Sequence, residues 1–263
     1  MSKIELNIES LSNVGAHFGH PSSKWHPNFE KFISSKKNGI HIIDLVQTEK
    51  YLVKATKELS KIINKGGNVL FVGTKKQAQE AIRGEANRCE MPYMNQRWLG
   101  GTLTNFSTIR GRANYMIELE TQKSAGHWDV LLKKEALKLE EQLRKLQKYL
   151  AGIRDMKQLP TALFVVDICK EAICVAEARK LGIKLISIID SDCDPFLIDH
   201  YIPGNDDAIR SIKLITTRIA DGVIQGSRER EALLNEQQES DAAEYGLNGE
   251  EDPELLEAVP SGS

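Results

Sequence analysis

The chain has 263 residues, 41% of them hydrophobic and 27% charged, which is ample for a well-buried core in one large domain or two modest ones. No apolar run reaches the ~20 residues of a membrane span, and the amino terminus MSKIELNIES has neither a secretory nor an Arg/Ser-rich transit pattern. A cytoplasmic location and no membrane partner are predicted. The net charge of −2 conceals a division: from Glu229 onward one basic residue faces eleven acidic ones, leaving residues 1–228 with 34 basic and 26 acidic, a net of +8. A basic body suits a polyanion, because each neutralised phosphate releases counterions; a solvated lysine-rich surface is the alternative. Cys89, Cys169, Cys174 and Cys193 form no C-x-x-C pair and predict reduced thiols.

In chain order, GAHFGHPSSKWHP (15–27) brings His17, His20 and His26 close together, but H-x-x-H without a cysteine pair is a poor zinc set. Lys24, Trp25 and Lys31 interleave basic and aromatic groups, a pattern suited to unpaired RNA bases, where stacking contributes ~1–3 kcal/mol each. FISSKKNGIHII (32–43) reads as a hairpin turning at Asn38-Gly39 and carrying Lys36 and Lys37. A helix over about 48–65 follows, with Thr48 as N-cap, Leu52, Leu59, Ile62 and Ile63 on one face, and a stop at Gly66-Gly67. NVLFVGT (68–74), TALFVVD (161–167) and KLISIID (184–190) are apolar runs suited to parallel strands covered on both faces. Helices over about 75–90, 170–182 and 206–222 alternate with them and predict an α/β open parallel sheet with helices on both faces.

VLFVGTKKQ (69–77) runs strand, glycine turn, two lysines and helix, and a helix N-terminus with lysines suits a phosphate. It has neither G-x-x-x-x-G-K-[ST] nor G-x-G-x-x-G, so Lys75 and Lys76 fit the phosphates of a polymer at least as well as a free nucleotide. No serine lies in a G-x-S-x-G elbow, so no catalytic residue is predicted. QRWLGGTLTNF (96–106) resembles a ligand loop when read alone. In place it is the corner where the sheet hands the chain to an arm. Gly100 and Gly101 make the turn there, and Thr104 or Asn105 caps the next helix. Arg97, Arg110 and Arg112 are candidates for phosphate contact, and Trp98 either stacks on a base or anchors the arm. Between 132 and 153, Leu132, Ala136, Leu139, Leu143, Leu146, Leu150 and Ile153 are spaced alternately by four and three. This is a coiled-coil seam, facing a shorter stripe at Phe106, Ile109, Ala113 and Met116, with Asp129 as N-cap of the second helix.

The predicted organisation is an α/β unit from 1–104 and 155–226, an inserted antiparallel coiled-coil hairpin over 105–154, and an acidic, largely disordered tail over 227–263 with a short helix near 232–239. Small monomeric enzymes seldom need such an arm, whereas members of large assemblies often carry one. Asp190, Asp192, Asp194, Asp206 and Asp207 gather at the carboxyl ends of the strands, the edge where open α/β sheets bind ligands. No cofactor is predicted. A divalent ion held by His17 with Asp190 and Asp206 is an alternative to solvated aspartates and helix caps, Asp206 and Asp207 being placed to offset a helix macrodipole.

Seven phrases, GAHFGH…W.P (15–27), KNGIHIIDL (37–45), LFVGTKKQA (70–78), RWLGGTLTNF (97–106), MKQLP (156–160), ALFVVD (162–167) and IPGNDDAIRSI (202–212), occur in this order. Together they resemble the bacterial-type second protein of the small ribosomal subunit, the S-two family, over about residues 5–226. The resemblance implies a flavodoxin-like α/β fold with a coiled-coil hairpin and no catalysis. It implies binding to small-subunit ribosomal RNA and to neighbouring small-subunit proteins, and help in recruiting the messenger-binding ribosomal protein number one. The implied place is the ribosome, bacterial or organellar. Thr102 replaces an apolar residue usual in the family, and CDPFLIDHYIPG (193–204) departs from its pattern, which weakens an ion site carried over to Asp194. The alternative is an α/β nucleotide- or phosphate-binding enzyme.

Overall fold

A computed structural model describes the backbone of residues 7–247 and the side chains of residues 7–238. Helix α1 (Ile8–Asn13) leads into β1 (Phe18–Pro21), β2 (Ile33–Lys37) and β3 (Ile40–Ile43), which form an antiparallel ribbon in the order β1-β3-β2. Asn38 and Gly39 close β2 onto β3 with φ of 52° and 79°, the left-handed pair that a two-residue hairpin of this twist requires. Helix α2 (Leu45–Asn64) follows. Its N-cap is Asp44, whose Oδ1 accepts the Val46 N–H at 3.0 Å. Thr48 is instead buried one turn in, donating its hydroxyl to the Asp44 carbonyl. The predicted inner face holds: Leu52, Leu59, Ile62 and Ile63 are buried, and Gly66 ends the turn at φ 85°.

Strands β4 (Val69–Val72), β5 (Tyr93–Met94), β6 (Ala162–Val166), β7 (Lys184–Ile189) and β8 (His200–Pro203) form one parallel sheet in the order β5-β4-β6-β7-β8. Numbered along the chain this is 2-1-3-4-5, the order of doubly wound sheets whose topological switch lies between the first and third strands, here β4 and β6. Side chains alternate across the pleat. Val69, Phe71, Phe164 and Val166 enter one core with α2, while Leu70, Val72, Leu163 and Val165 enter the other with Phe29 and Phe32. Helices α3 (Gln79–Arg88), α6 (Ala172–Lys180) and α7 (Ile209–Leu247) complete the unit. Each of the three begins later than the sequence predicts, because residues 75–78, 167–171 and 205–208 form turns at the sheet edge.

Helices α4 (Phe106–Ser124) and α5 (Lys133–Leu150) run antiparallel. Lys123 pairs with Glu140 at 2.8 Å, and Gln147 Nε2 donates to Glu120 at 2.7 Å. Leu143 and Leu150 are buried and Leu139 and Leu146 half-buried, but Leu132 is 72% exposed. The seam thus closes at the foot and opens at the tip. Asp129 does not cap α5, which starts at Lys133 with no side-chain cap. Helix α7 continues through Leu247, farther into the acidic segment than the short 232–239 helix predicted; residues 248–263 lie outside the described residues.

Candidate nucleic-acid interface and the sheet edge

At the switch point, where doubly wound enzymes open a ligand crevice, the chain places its own cation. The Lys75 Nζ reaches across from the end of β4 to Asp167 beyond β6 at 3.1 Å, and to Asp206 and Asp207 before α7 at 2.8 and 2.5 Å. Burial opposes the charge on Lys75, but Asp206, Asp207 and Asp167 outweigh it and raise its pKa. Asp206 is almost fully buried, and burial together with Asp190 and Asp167 pushes its carboxyl up to about 8. Lys75 is therefore engaged inside the protein and not presented to a phosphate. Asp206 and Asp207 do not stand in the first turn of α7. Asn205 Oδ1 accepts the N–H groups of Asp207 and Ala208, at 2.8 Å each, and this turn aims both carboxylates at Lys75.

A second cation closes the other half of the edge. His20 Nδ1 stands 3.0 Å from Asp190 Oδ2, and its Nε2 lies 3.4 Å from Asp207 and 3.9 Å from Asp192. The Asp190 contact is the largest influence and raises the imidazole pKa to about 9. The backbone closes in as well: His20 N–H donates to Ser191 Oγ at 2.8 Å, and His26 N–H to the Ser191 carbonyl at 2.7 Å. The predicted His17 is not in this cluster. It stacks on Phe18 with ring centroids 4.1 Å apart, and burial lowers its pKa. Position separates the two histidines: His20 lies within β1 and meets the carboxylates, while His17 precedes the strand. Asp190 and Asp206 do meet at the edge, with His20 and Lys75 as their partners.

The QRWLGGTLTNF corner holds an anion that belongs to the protein. Glu177 of α6 accepts Trp98 Nε1 at 3.1 Å, the Gly101 N–H at 2.8 Å, the Leu103 and Thr104 N–H groups at 3.0 Å, and the Thr104 hydroxyl at 3.1 Å. Burial opposes ionisation of Glu177, and these donors outweigh it and lower its pKa. Gly101 takes φ 89°, whereas a Cβ on Gly100 would meet open space. Trp98 is the buried anchor. Asn105 occupies the N-cap position of α4 as expected, but its Oδ1 accepts the Thr108 hydroxyl at 2.8 Å instead of a backbone N–H, and Thr104 is spent on Glu177.

The remaining basic candidates fall into two groups. Lys36 and Lys37 are adjacent on β2 and so point to opposite faces of the ribbon, yet both are exposed. Lys24 is exposed in the turn after β1, tied to the hairpin by Ser22 N–H donating to the Gly39 carbonyl at 2.9 Å. Trp25 packs 5.3 Å from the ring of His41, the residue paired with Lys36 in register. Lys31 is exposed but stands 4.9 Å from the Phe32 ring, 5.0 Å from Phe196 and 5.3 Å from Tyr201. At the arm's foot Arg97 and Arg112 are exposed, while Arg110 is half-buried and donates to the Arg154 carbonyl. Lys76 is exposed. Asp167 and Glu177 were not singled out by the sequence reading, and His20 was named there only as one of three neighbouring histidines. Glu177 had a detectable signal, since it shares the buried stripe of α6 with Cys174 and Ala178.

This is a Rossmann-like α/β protein whose ligand edge is closed by its own lysine, histidine and aspartates, with exposed lysines and arginines on a ribbon and at the foot of a helical arm. Residues 11–226 match the family model described as Ribosomal protein S2. The chain belongs to that family, structural proteins of the small ribosomal subunit that serve translation. Among the described residues no helix is long and apolar enough to cross a membrane.

Proposed function

We propose that the chain is held in the small subunit by binding ribosomal RNA through two surfaces: the ribbon bearing Lys24, Lys36 and Lys37 beside Trp25, and the foot of the arm bearing Arg97 and Arg112, with Lys76 as a further phosphate contact. The carrying observation is the contrast between Lys75, locked among three carboxylates, and the exposed Lys36 and Lys37 on a narrow ribbon. Strand β2, exposed on both faces at Lys36 and Lys37, reaches a grooved polyanion without opening the sheet edge, and its contacts position the protein on phosphates. Assembled there, the protein contacts neighbouring small-subunit proteins and helps to recruit the messenger-binding ribosomal protein number one. The setting is the ribosome of a bacterial cytoplasm or of an organelle.

Replacing Lys36, Lys37 and Arg97 together by Ala is expected to lower incorporation into small subunits, measured by sedimentation of reconstituted particles. Binding of the wild-type chain to small-subunit RNA is expected to weaken with salt at a log–log slope of about −0.7 to −0.9 per phosphate contacted. The triple variant then loses about two to three units of that slope. Unchanged incorporation and slope would remove these residues from the interface. Saturable ATP or GTP binding by the isolated chain would favour the nucleotide-enzyme reading instead.

A further inference from the structure

Strands β6 and β7 are parallel neighbours, with Val166 opposite Ile188, so the loops that leave them emerge side by side. Each loop carries one cysteine, and the two sulfurs, Cys169 Sγ and Cys193 Sγ, stand 3.1 Å apart. Cys169 is exposed and Cys193 is fully buried. A disulfide has an S–S length of about 2.05 Å, so bond formation needs only about an ångström of closure between the two loops. The other two thiols have no such arrangement: Cys89 and Cys174 are both buried, in α-helical surroundings on separate elements.

We propose that Cys169 and Cys193 are a reversible redox pair, in which exposed Cys169 attacks a low-molecular-weight disulfide and buried Cys193 resolves the product to an intramolecular disulfide. Cys169 gives up its proton, and its sulfur bonds to one sulfur of the small disulfide. The small S–S bond breaks, and one small thiolate leaves and takes up the proton. Cys193 then gives up its proton and attacks Cys169 Sγ, and the second small thiol departs with that proton. Two protein thiols are oxidised and one small disulfide is reduced to two thiols. Access assigns the order, because an oxidant meets only Cys169 from solvent. The hydrogen bond with Cys193 acts in the same sense, lowering the Cys169 pKa. The closed form ties the loop of Asp167, a partner of Lys75, to the loop of Asp190 and Asp192, two of the partners of His20. Oxidation would therefore staple the sheet edge that these ion pairs close.

The test treats the full chain with oxidised glutathione in the presence of a chelator, quenches with acid, alkylates and digests with trypsin. The cysteines fall in different peptides, 158–170 and 185–210. The expected product is those two peptides joined, two hydrogens lighter than their sum and separated again by reductant. Cys193→Ser and Cys193→Ala are each expected to accumulate one glutathione on Cys169, and Cys169→Ser to gain neither adduct nor cross-link. A wild-type chain that retains glutathione on Cys169 without the cross-link overturns the proposal. So does a wild-type chain in which Cys169 reacts no faster than Cys89 and Cys174.

Discussion

Replacing Glu177 by Ala strands the Trp98 indole N–H and the Gly101, Leu103 and Thr104 backbone N–H groups at once, because a single carboxylate accepts from all of them. Buried donors left unsatisfied cost about 1–3 kcal/mol each before relaxation. Once water enters the opened corner, we expect a net loss of roughly 3 kcal/mol, read as a lower urea midpoint. Glu177→Gln is expected to lose nearly as much, since its amide N–H₂ would face donors. A second residue-scale effect is electrostatic. His20 is raised from an unfolded value near 6.5 to about 9, so its pairing stabilises fully below pH 6.5 and is lost as pH climbs through 9. Asp206, raised to about 8, lowers stability over an earlier window, from about pH 4 to 8, so the imidazole must be isolated by difference. The gap in stability between wild type and His20→Gln, on the order of 2–3 kcal/mol at pH 6, is expected to close by about pH 9.5 in thermal melts. A gap that stays constant with pH would mean that His20 is not the titrating group. These residues were hard to read in the sequence because their partners lie far along the chain: Glu177 is 73 to 79 positions from its donors and His20 is 170 from Asp190. Spacing reports neighbours on one element, not meetings between loops.

The elements were more legible, because each is specified by a local pattern that burial rewards. The uninterrupted apolar runs became buried strands within one or two residues of their predicted ends, and the Asn38-Gly39 turn formed as its left-handed preference dictates. Helix starts were less legible. Asp44 outcompetes Thr48 as a cap because its carboxylate meets the Val46 N–H directly, and the late starts of α3 and α7 come from turns that deliver Lys75, Asp206 and Asp207 to the edge. The packing of α7 on α2 had no simple signal beyond its glycines. A Cβ on Gly226 would lie 3.0 Å from both Ser60 Cα and Ile63 Cβ, and closer still to the Ser60 carbonyl oxygen. Gly226→Ala is therefore expected to destabilise by about 2 kcal/mol through overpacking, despite its gain in helix propensity. Gly84, inside α3, meets nothing within 4 Å, so Gly84→Ala is expected to stabilise by about 0.5–1 kcal/mol. Chemical denaturation of the two variants separates a contact glycine from an incidental one.

At the scale of the whole molecule the opposing charges of body and tail predict how strongly the free chain would hold nucleic acid. The sequence makes that asymmetry plain, since charge is counted directly, whereas where the acidic segment sits depends on where α7 carries it. The helix keeps Glu229 and Arg230 close to the body: Asn64 Nδ2 donates to Glu229 at 3.3 Å, and a Cβ on Gly66 would stand 3.1 Å from the Arg230 guanidinium. A truncation that tests the tail must therefore spare these two residues. Residues 239–263 carry eight acidic groups and no basic one, so removing them changes the net charge from −2 to +6 while leaving both contacts in place. We predict that this deletion raises affinity for nonspecific RNA severalfold at low salt and that the gain fades at high salt, because the tail and the RNA phosphates compete for the same lysines through a screened interaction. Titration of labelled RNA at two salt concentrations checks it. If the tail instead meets a basic neighbour in the assembled subunit, affinity of the free chain for RNA stays unchanged and incorporation falls.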